Sequence, residues 1–200
     1  MWSRVVFGTD VYHIVSAFII YSVLGWAVES IYMSFCNRKL TNRGFGKGPF
    51  CPIYGFGGVL GYMILHPLSG SFFRLYFAGA ILATAFEFMV GIMMKKAFGE
   101  IWWDYNDKKM NYKGIICLES TIAWGFYAVF IIRVLNGRVN SFIDSWSNRT
   151  GTLICEVIIL LVVVDYAMQL RMIIKKSDFR LRDERERLVL KYRDLRARWF

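Results

Sequence analysis

The sequence predicts an all-α, polytopic membrane protein: a bundle of five transmembrane helices with a charged amphipathic C-terminal helix. Three observations predict it. Hydrophobic residues make up 56% of the 200 positions and aromatic residues 18%, more apolar residue than an ordinary soluble domain carries. Those residues fall in long blocks, not in an amphipathic period. Basic residues collect in every second connection between the blocks, as they do on the cytoplasmic side of membrane proteins.

A spanning helix needs roughly 20 mostly apolar residues, and five blocks are candidates: 11–36, 50–67, 73–94, 114–135 and 151–174. The charges of residues 1–10, followed by a long apolar stretch without a small-residue cleavage site, do not read as a cleavable signal peptide. The second block is short and glycine-rich and ends at Pro67; its Gly57 and Gly61 form a small-xxx-small pair of the kind that admits a neighbouring helix. The 37–49 loop carries Arg38, Lys39, Arg43 and Lys47, and the 95–113 loop carries Lys95, Lys96, Lys108, Lys109 and Lys113. The 68–72 turn has no basic residue, and the 136–150 loop has only Arg138 and Arg149. This alternation places the N-terminus outside and the C-terminus in the cytoplasm of a multi-pass protein of the bacterial cytoplasmic membrane. Residues 1–176 then form the transmembrane bundle and 177–200 a cytoplasmic charged tail. No internal repeat or low-complexity segment stands out.

The net charge of +10 does not point to nucleic acid. Residues 175–200 hold ten Lys/Arg against five Asp/Glu, half of the excess, and most of the rest lies in loops beside apolar blocks. In the tail, Leu181, Leu188, Tyr192, Leu195 and Trp199 share a stripe, while Asp178–Arg182 and Asp183–Arg187 are favourable i,i+4 pairs. Such a helix suits the membrane surface, or self-association through Leu181, Leu188 and Leu195.

Ionisable residues inside a membrane are costly, so each is a functional candidate. The blocks contain Glu29, Glu87, Glu119, Glu156 and Asp165. At the α-helical rise, Glu29 and Glu87 lie roughly 10 Å inside the cytoplasmic ends of their helices and Glu119 roughly 7 Å. The face Ala80–Thr84–Glu87–Gly91 is small and polar, fit to pack against helices. Trp26 precedes Glu29 by one turn, and Arg43 is a natural partner for a buried carboxylate. Two glycine- and aromatic-rich loops could cover the cluster: Asn42-Arg43-Gly44-Phe45-Gly46-Lys47-Gly48-Pro49, and Trp102-Trp103-Asp104-Tyr105 with Asn111.

Catalytic and nucleotide-binding signatures are absent: no phosphate-binding loop and no His-Glu-x-x-His. His13 and His66 lie toward the outer side, away from Glu29 and Glu87. The four cysteines, Cys36, Cys51, Cys117 and Cys155, form neither a metal-type pair nor a disulfide framework and read as buried small hydrophobes. No cofactor and no metal are expected.

Gly25-Trp26 with Glu29, Asn42-Arg43-Gly44-Phe45, Gly48-Pro49 and Cys51-Pro52-Ile53-Tyr54-Gly55 resemble the bacterial membrane family called putative ABC-transporter type IV, or CmpB-like. So do Glu87, Trp103-Asp104-Tyr105, Asn111, Gly114, Ile116-Cys117-Leu118 and Trp124-Gly125. The resemblance runs from about residue 15 to 130. It implies a permease that borrows an ATPase from another chain, with Glu29, Glu87, Arg43, Asp104, Asn111, Tyr54 and Trp26 meeting a substrate or coupling ion near the cytoplasmic face. Two other readings stay open: a membrane-embedded enzyme using these carboxylates on a lipid or amphiphile, and a non-transporting scaffold.

Overall fold

The computed structural model describes residues 2–6, 9–99, 101 and 103–199; for residue 98 and for 176–199 only the backbone is described. The chain is mostly helical. A two-residue ladder, β1 (Val5–Val6) with β2 (Thr9–Asp10), leads into α1 (Val11–Asn37). Helix α2 (Pro52–Leu65) ends in a 3-10 turn at His66–Leu68, and α3 spans Phe72–Phe98. A second ladder, β3 (Asn111–Tyr112) with β4 (Ile116–Cys117), precedes α4 (Leu118–Phe130). A π-turn at Ile131–Leu135 joins α4 to α5 (Asn136–Asp144), and α6 runs from Asn148 to Trp199.

Among the described residues, four helical stretches are long and apolar enough to cross a membrane: Val11–Asn37, Phe72–Ala97, Leu118–Asp144 and Asn148–Lys175. Three sequence expectations change here. The second block forms only the 14 residues of α2 plus its 3-10 turn, because Pro52 starts the helix and Pro67 stops regular α-bonding. The fourth span begins at Leu118, not 114, because residues up to Cys117 turn back in the β3–β4 ladder, and it continues to Asp144. The tail is no separate helix: α6 is continuous over 52 residues.

Helix ends are fixed by local chemistry. Asp10 caps α1 by accepting the His13 amide (2.8 Å), which satisfies one of the orphan donors of a helix start. Gly99, at φ +78°, closes α3 in the left-handed region that glycine enters freely.

The helices pair in register. Gly25 meets Tyr54, Ser22 and Phe18 meet Gly55, and Tyr21 meets Gly58, so α1 and α2 run antiparallel. A Cβ at Gly55 would overlap the Ser22 hydroxyl; this contact and that at Gly58 bring the helices close. Of the expected pair, Gly57 faces Phe86 of α3 at ordinary contact distance while Gly61 has nothing nearby, so the two do not form the close approach to α1. Gly91 meets Ile115, Thr84 Oγ1 bonds Thr121 Oγ1 (3.0 Å) and Gly79 meets Ala128, so α3 and α4 also run antiparallel. Tyr12 meets Gly151 and Ser16 Oγ lies 3.3 Å from Cys155 Sγ, so α6 runs parallel to α1. One buried cluster joins Tyr12, Ile19, Tyr21, Phe50, Val139, Ile143 and Cys155; another joins Leu65, Leu75, Ala128 and Ile132. Cys51, Cys117 and Cys155 are buried, whereas Cys36 is exposed near the end of α1.

Candidate functional site

Each of the first two antiparallel pairs is a helical hairpin whose loop carries polar side chains back to a glutamate on its first helix. In the α1–α2 hairpin, Glu29 accepts the Arg43 Nε–H on Oε1 (2.9 Å) and the Tyr54 hydroxyl on Oε2 (2.8 Å). The Arg43 amide donates to Ser30 Oγ (3.2 Å). Asn42 braces the loop: its Oδ1 accepts the Trp26 indole N–H (2.7 Å) and the Gly44 amide (2.9 Å), and its amide group donates to the carbonyls of Gly46 (3.2 Å) and Lys47 (3.1 Å).

This loop does not lie flat outside the bundle. Asp165 of α6 accepts the Lys47 amide on Oδ1 (3.1 Å) and the Gly48 amide on Oδ2 (3.0 Å). A Cβ at Gly46 would overlap the Asp165 carboxylate. Tyr166 donates its hydroxyl to the Phe50 carbonyl (3.2 Å) and packs edge-on against Phe45. Asp165 precedes Lys175, the C-terminal end of the apolar stretch of α6, by ten residues, roughly 15 Å of helix. Asn42 and Asp165 satisfy the Gly44, Lys47 and Gly48 amides of this irregular backbone from within the protein.

In the α3–α4 hairpin, Glu87 is 7% exposed. It accepts three neutral donors: the Tyr105 hydroxyl on Oε1 (3.0 Å), and the Trp124 indole N–H (3.0 Å) and Ser120 hydroxyl (3.4 Å) on Oε2. Among the described residues no cation pairs with it. Burial, and then the adjacent Glu87, push the Tyr105 hydroxyl above its ordinary pKa, which keeps it a proton donor. Trp103 donates to the Ile115 carbonyl (2.8 Å). Asn111 braces this loop, donating to the carbonyls of Asn106 (3.1 Å) and Lys108 (2.9 Å) and accepting the Gly114 amide (3.2 Å). Asp104 Oδ1 accepts both the backbone N–H (2.9 Å) and the side-chain amide (2.7 Å) of Asn106.

The seven expected site residues thus divide. Glu29, Arg43 and Tyr54 form one hydrogen-bonded set, joined through the loop to Trp26. Glu87 forms a second set, whose loop is organised by Asp104 and Asn111. No partner of Glu87 comes from the first hairpin. Trp102 lies outside the described residues, as do the side chains of the expected tail stripe at Leu181, Leu188 and Leu195. Glu119 does not join Glu87: it is exposed and pairs with Lys108 (2.9 Å), and its neighbour Ser120 turns inward instead. Glu156, near the N-terminal end of α6, accepts the Trp2 indole N–H (3.2 Å). His13 lies between Asp10 and Asp144, 2.9 Å from each, at the start of α1.

Asp165, Ser120, Trp124 and Tyr105 are the members that sequence reasoning did not assemble. A signal for Ser120 was present. Lys47-Gly48-x-x-Cys51 and Lys113-Gly114-x-x-Cys117 have the same spacing. Both cysteines are buried and occupy the N-cap of a hairpin's second helix. Three residues on, Tyr54 and Ser120 each donate a hydroxyl to the glutamate of the preceding helix. The two hairpins repeat one device, although no repeat stands out when the whole chain is scanned.

Long apolar helices joined by loops that fold back among them define a multi-pass helical membrane protein. The chain belongs to the family described as Putative ABC-transporter type IV, whose model matches residues 16–170. The match covers both hairpins and extends along α6 past Asp165. No curated protein and no solved structure matches the chain.

Proposed function

We propose that the chain is a permease-like component of a transport system, and that Glu87 is the ionisable centre at which a substrate or coupling cation arrives from the cytoplasmic side. The observation that carries this is the environment of Glu87: a buried carboxylate on a membrane helix, held by Tyr105, Ser120 and Trp124 without a cationic partner among the described residues. A carboxylate so placed is costly to keep unless a proton or cation visits it. Glu29 already has Arg43 as its counter-ion and serves to seat the first loop.

The chain crosses the membrane five times, with its N-terminus outside and its C-terminus in the cytoplasm. Antiparallel α1–α2 and α3–α4 with α6 parallel to α1 support this path. Helix α2 with its 3-10 turn is 17 residues long, roughly 27 Å at the rises of the two helix types, close to the ~30 Å hydrocarbon core. The basic loops lie on the inner side of that path. An ATPase, where one is used, comes from a separate chain, and the continuous α6 offers its cytoplasmic extension for self-association.

The test uses the bond between Trp124 and Glu87. In full-length protein reconstituted into liposomes, a cation or proton reaching Glu87 changes the Trp124 environment. Titrating H⁺, Na⁺ and K⁺ should therefore change tryptophan emission, and the response should vanish in both Glu87→Gln and Trp124→Phe. No response in the wild type, or an unchanged response in Glu87→Gln, refutes the assignment.

A further inference from the structure

The duplicated hairpin device exposes a difference between its two copies. In the first, the Lys47–Gly48 backbone turns toward α6 and receives the Asp165 carboxylate. In the second, the equivalent Lys113–Gly114 segment forms part of the wall of a cavity of about 210 Å³, together with Lys95, Trp103, Asp104 and Asn106. Among the described residues no carboxylate of α6 reaches this position. Where the first copy receives a carboxylate from α6, the second has the neutral side chains of Asn111 and Asn106 against Gly114, with the cavity beside them.

The charges around that space set what it takes. Lys95 and Lys113 have no ion-pair partner among the described residues, while Lys108 is engaged with Glu119. Asp104 is the one carboxylate on the described wall, and two bonds from Asn106 hold its Oδ1. Two ammonium groups against one carboxylate leave a net charge of +1. The Gly114 amide is taken by Asn111, so the attraction falls to the lysines. Lys95 stands in the last turn of α3, at the level where the apolar stretch ending at Ala97 gives way to the loop. Trp103 suits the same interface.

We propose that this cavity binds the singly charged phosphodiester of an anionic phospholipid headgroup in the cytoplasmic leaflet, between Lys95 and Lys113. Basic pockets at the cytoplasmic ends of membrane helices hold headgroups in this way. One negative charge balances the wall, whereas inorganic phosphate carries closer to two at neutral pH. The volume is below the ~300–1,000 Å³ of drug-sized sites, fit for a headgroup whose chains remain in the bilayer. The inference stands apart from the role of Glu87.

Full-length protein in detergent, stripped of lipid and titrated with phosphatidylglycerol, provides the test by native mass spectrometry. The wild type should retain one phosphatidylglycerol tightly and phosphatidylcholine far more weakly. At about 1 kcal/mol per lysine, each of Lys95→Gln and Lys113→Gln should lose about fivefold in affinity and the pair about 30-fold, with melting unchanged. Lys39→Gln/Lys109→Gln removes the same charge outside the cavity and should lose much less. Equal loss in the two double variants, or none in the cavity variants, overturns the site. Displacement of phosphatidylglycerol by an equal concentration of inorganic phosphate overturns the lipid as its occupant.

Discussion

Asp165→Ala removes the anchor that holds the α1–α2 loop against α6. The wild-type carboxylate accepts two backbone amides, from Lys47 at 3.1 Å and Gly48 at 3.0 Å. Alanine accepts neither, and the close approach of Gly46 leaves a void where the carboxylate stood. An unsatisfied buried amide costs about 1–3 kcal/mol. The Lys47 end of the loop is more open to solvent than the Gly48 end, so water recovers part of that cost, and a local loss of about 2 kcal/mol follows. Two kcal/mol corresponds to about 30-fold in a local opening equilibrium. Hydrogen exchange in detergent or nanodiscs should therefore show the amides of Lys47 and Gly48 exchanging about 30-fold faster. Glu156→Ala, on the same helix but bonded only to Trp2, should leave them unchanged. Asp165→Asn keeps one acceptor oxygen and should fall between wild type and Asp165→Ala. If exchange at Lys47 and Gly48 is unaffected by Asp165→Ala, the carboxylate does not hold the loop.

Arg43→Ala leaves Glu29 without its counter-ion at a site only about one-fifth exposed, and should lower stability by about 1–3 kcal/mol; adding Glu29→Gln should restore part of it, and an additive double variant refutes the pairing. Reporters fused after residues 45 and 105 should report cytoplasm and those after 70 and 143 the outside; a cytoplasmic signal at 70 refutes the crossing by α2. Although burial works against it, bonds and charge from His13 hold the Asp10 carboxyl below its usual pKa. Its stabilising contribution is then fully present above the unfolded value of about 3.9 and is lost as pH falls through the lower folded value. Acid unfolding of Asp10→Asn should be less steep below about pH 4, and coincident profiles would refute that role.

The fold class was legible because length and apolarity are properties of a segment and need no tertiary knowledge. Helices α1, α3 and α6 could be read that way. The second block was not, because its length sits near the minimum for crossing and Pro67 shifts the last turn to 3-10 geometry. The start of α4 was missed because Gly114-Ile115-Ile116-Cys117 is apolar enough to pass for helix, while its backbone is committed to the turn that positions Trp103 and Ser120. Arg43 was legible as a partner for a buried carboxylate, whereas its choice of Glu29 and the Tyr54 hydroxyl on the same carboxylate were not. Asp165 was visible as a membrane carboxylate, but its partners are backbone amides more than a hundred residues away, which no side-chain pattern announces. Glu119 was misplaced because depth alone cannot tell which face of a helix turns inward.

The two glutamates illustrate how a repeated scaffold can serve unequal ends. Both hairpins bring a hydroxyl three residues past a buried N-cap cysteine to the glutamate of the preceding helix. In the first, Arg43 adds a cation to Glu29, and Asp165 clamps the loop from α6 through the Lys47 and Gly48 amides. In the second, Trp124 and Tyr105 replace the cation with neutral donors, and Lys95 and Lys113 border an open cavity. The glutamate of the first hairpin thus has a counter-ion within the chain, while among the described residues Glu87, Lys95 and Lys113 have no ion-pair partner. A buried carboxylate held only by neutral donors is costlier to keep charged than one with a counter-ion, a difference that supports placing the proposed binding centre at Glu87 and not at Glu29.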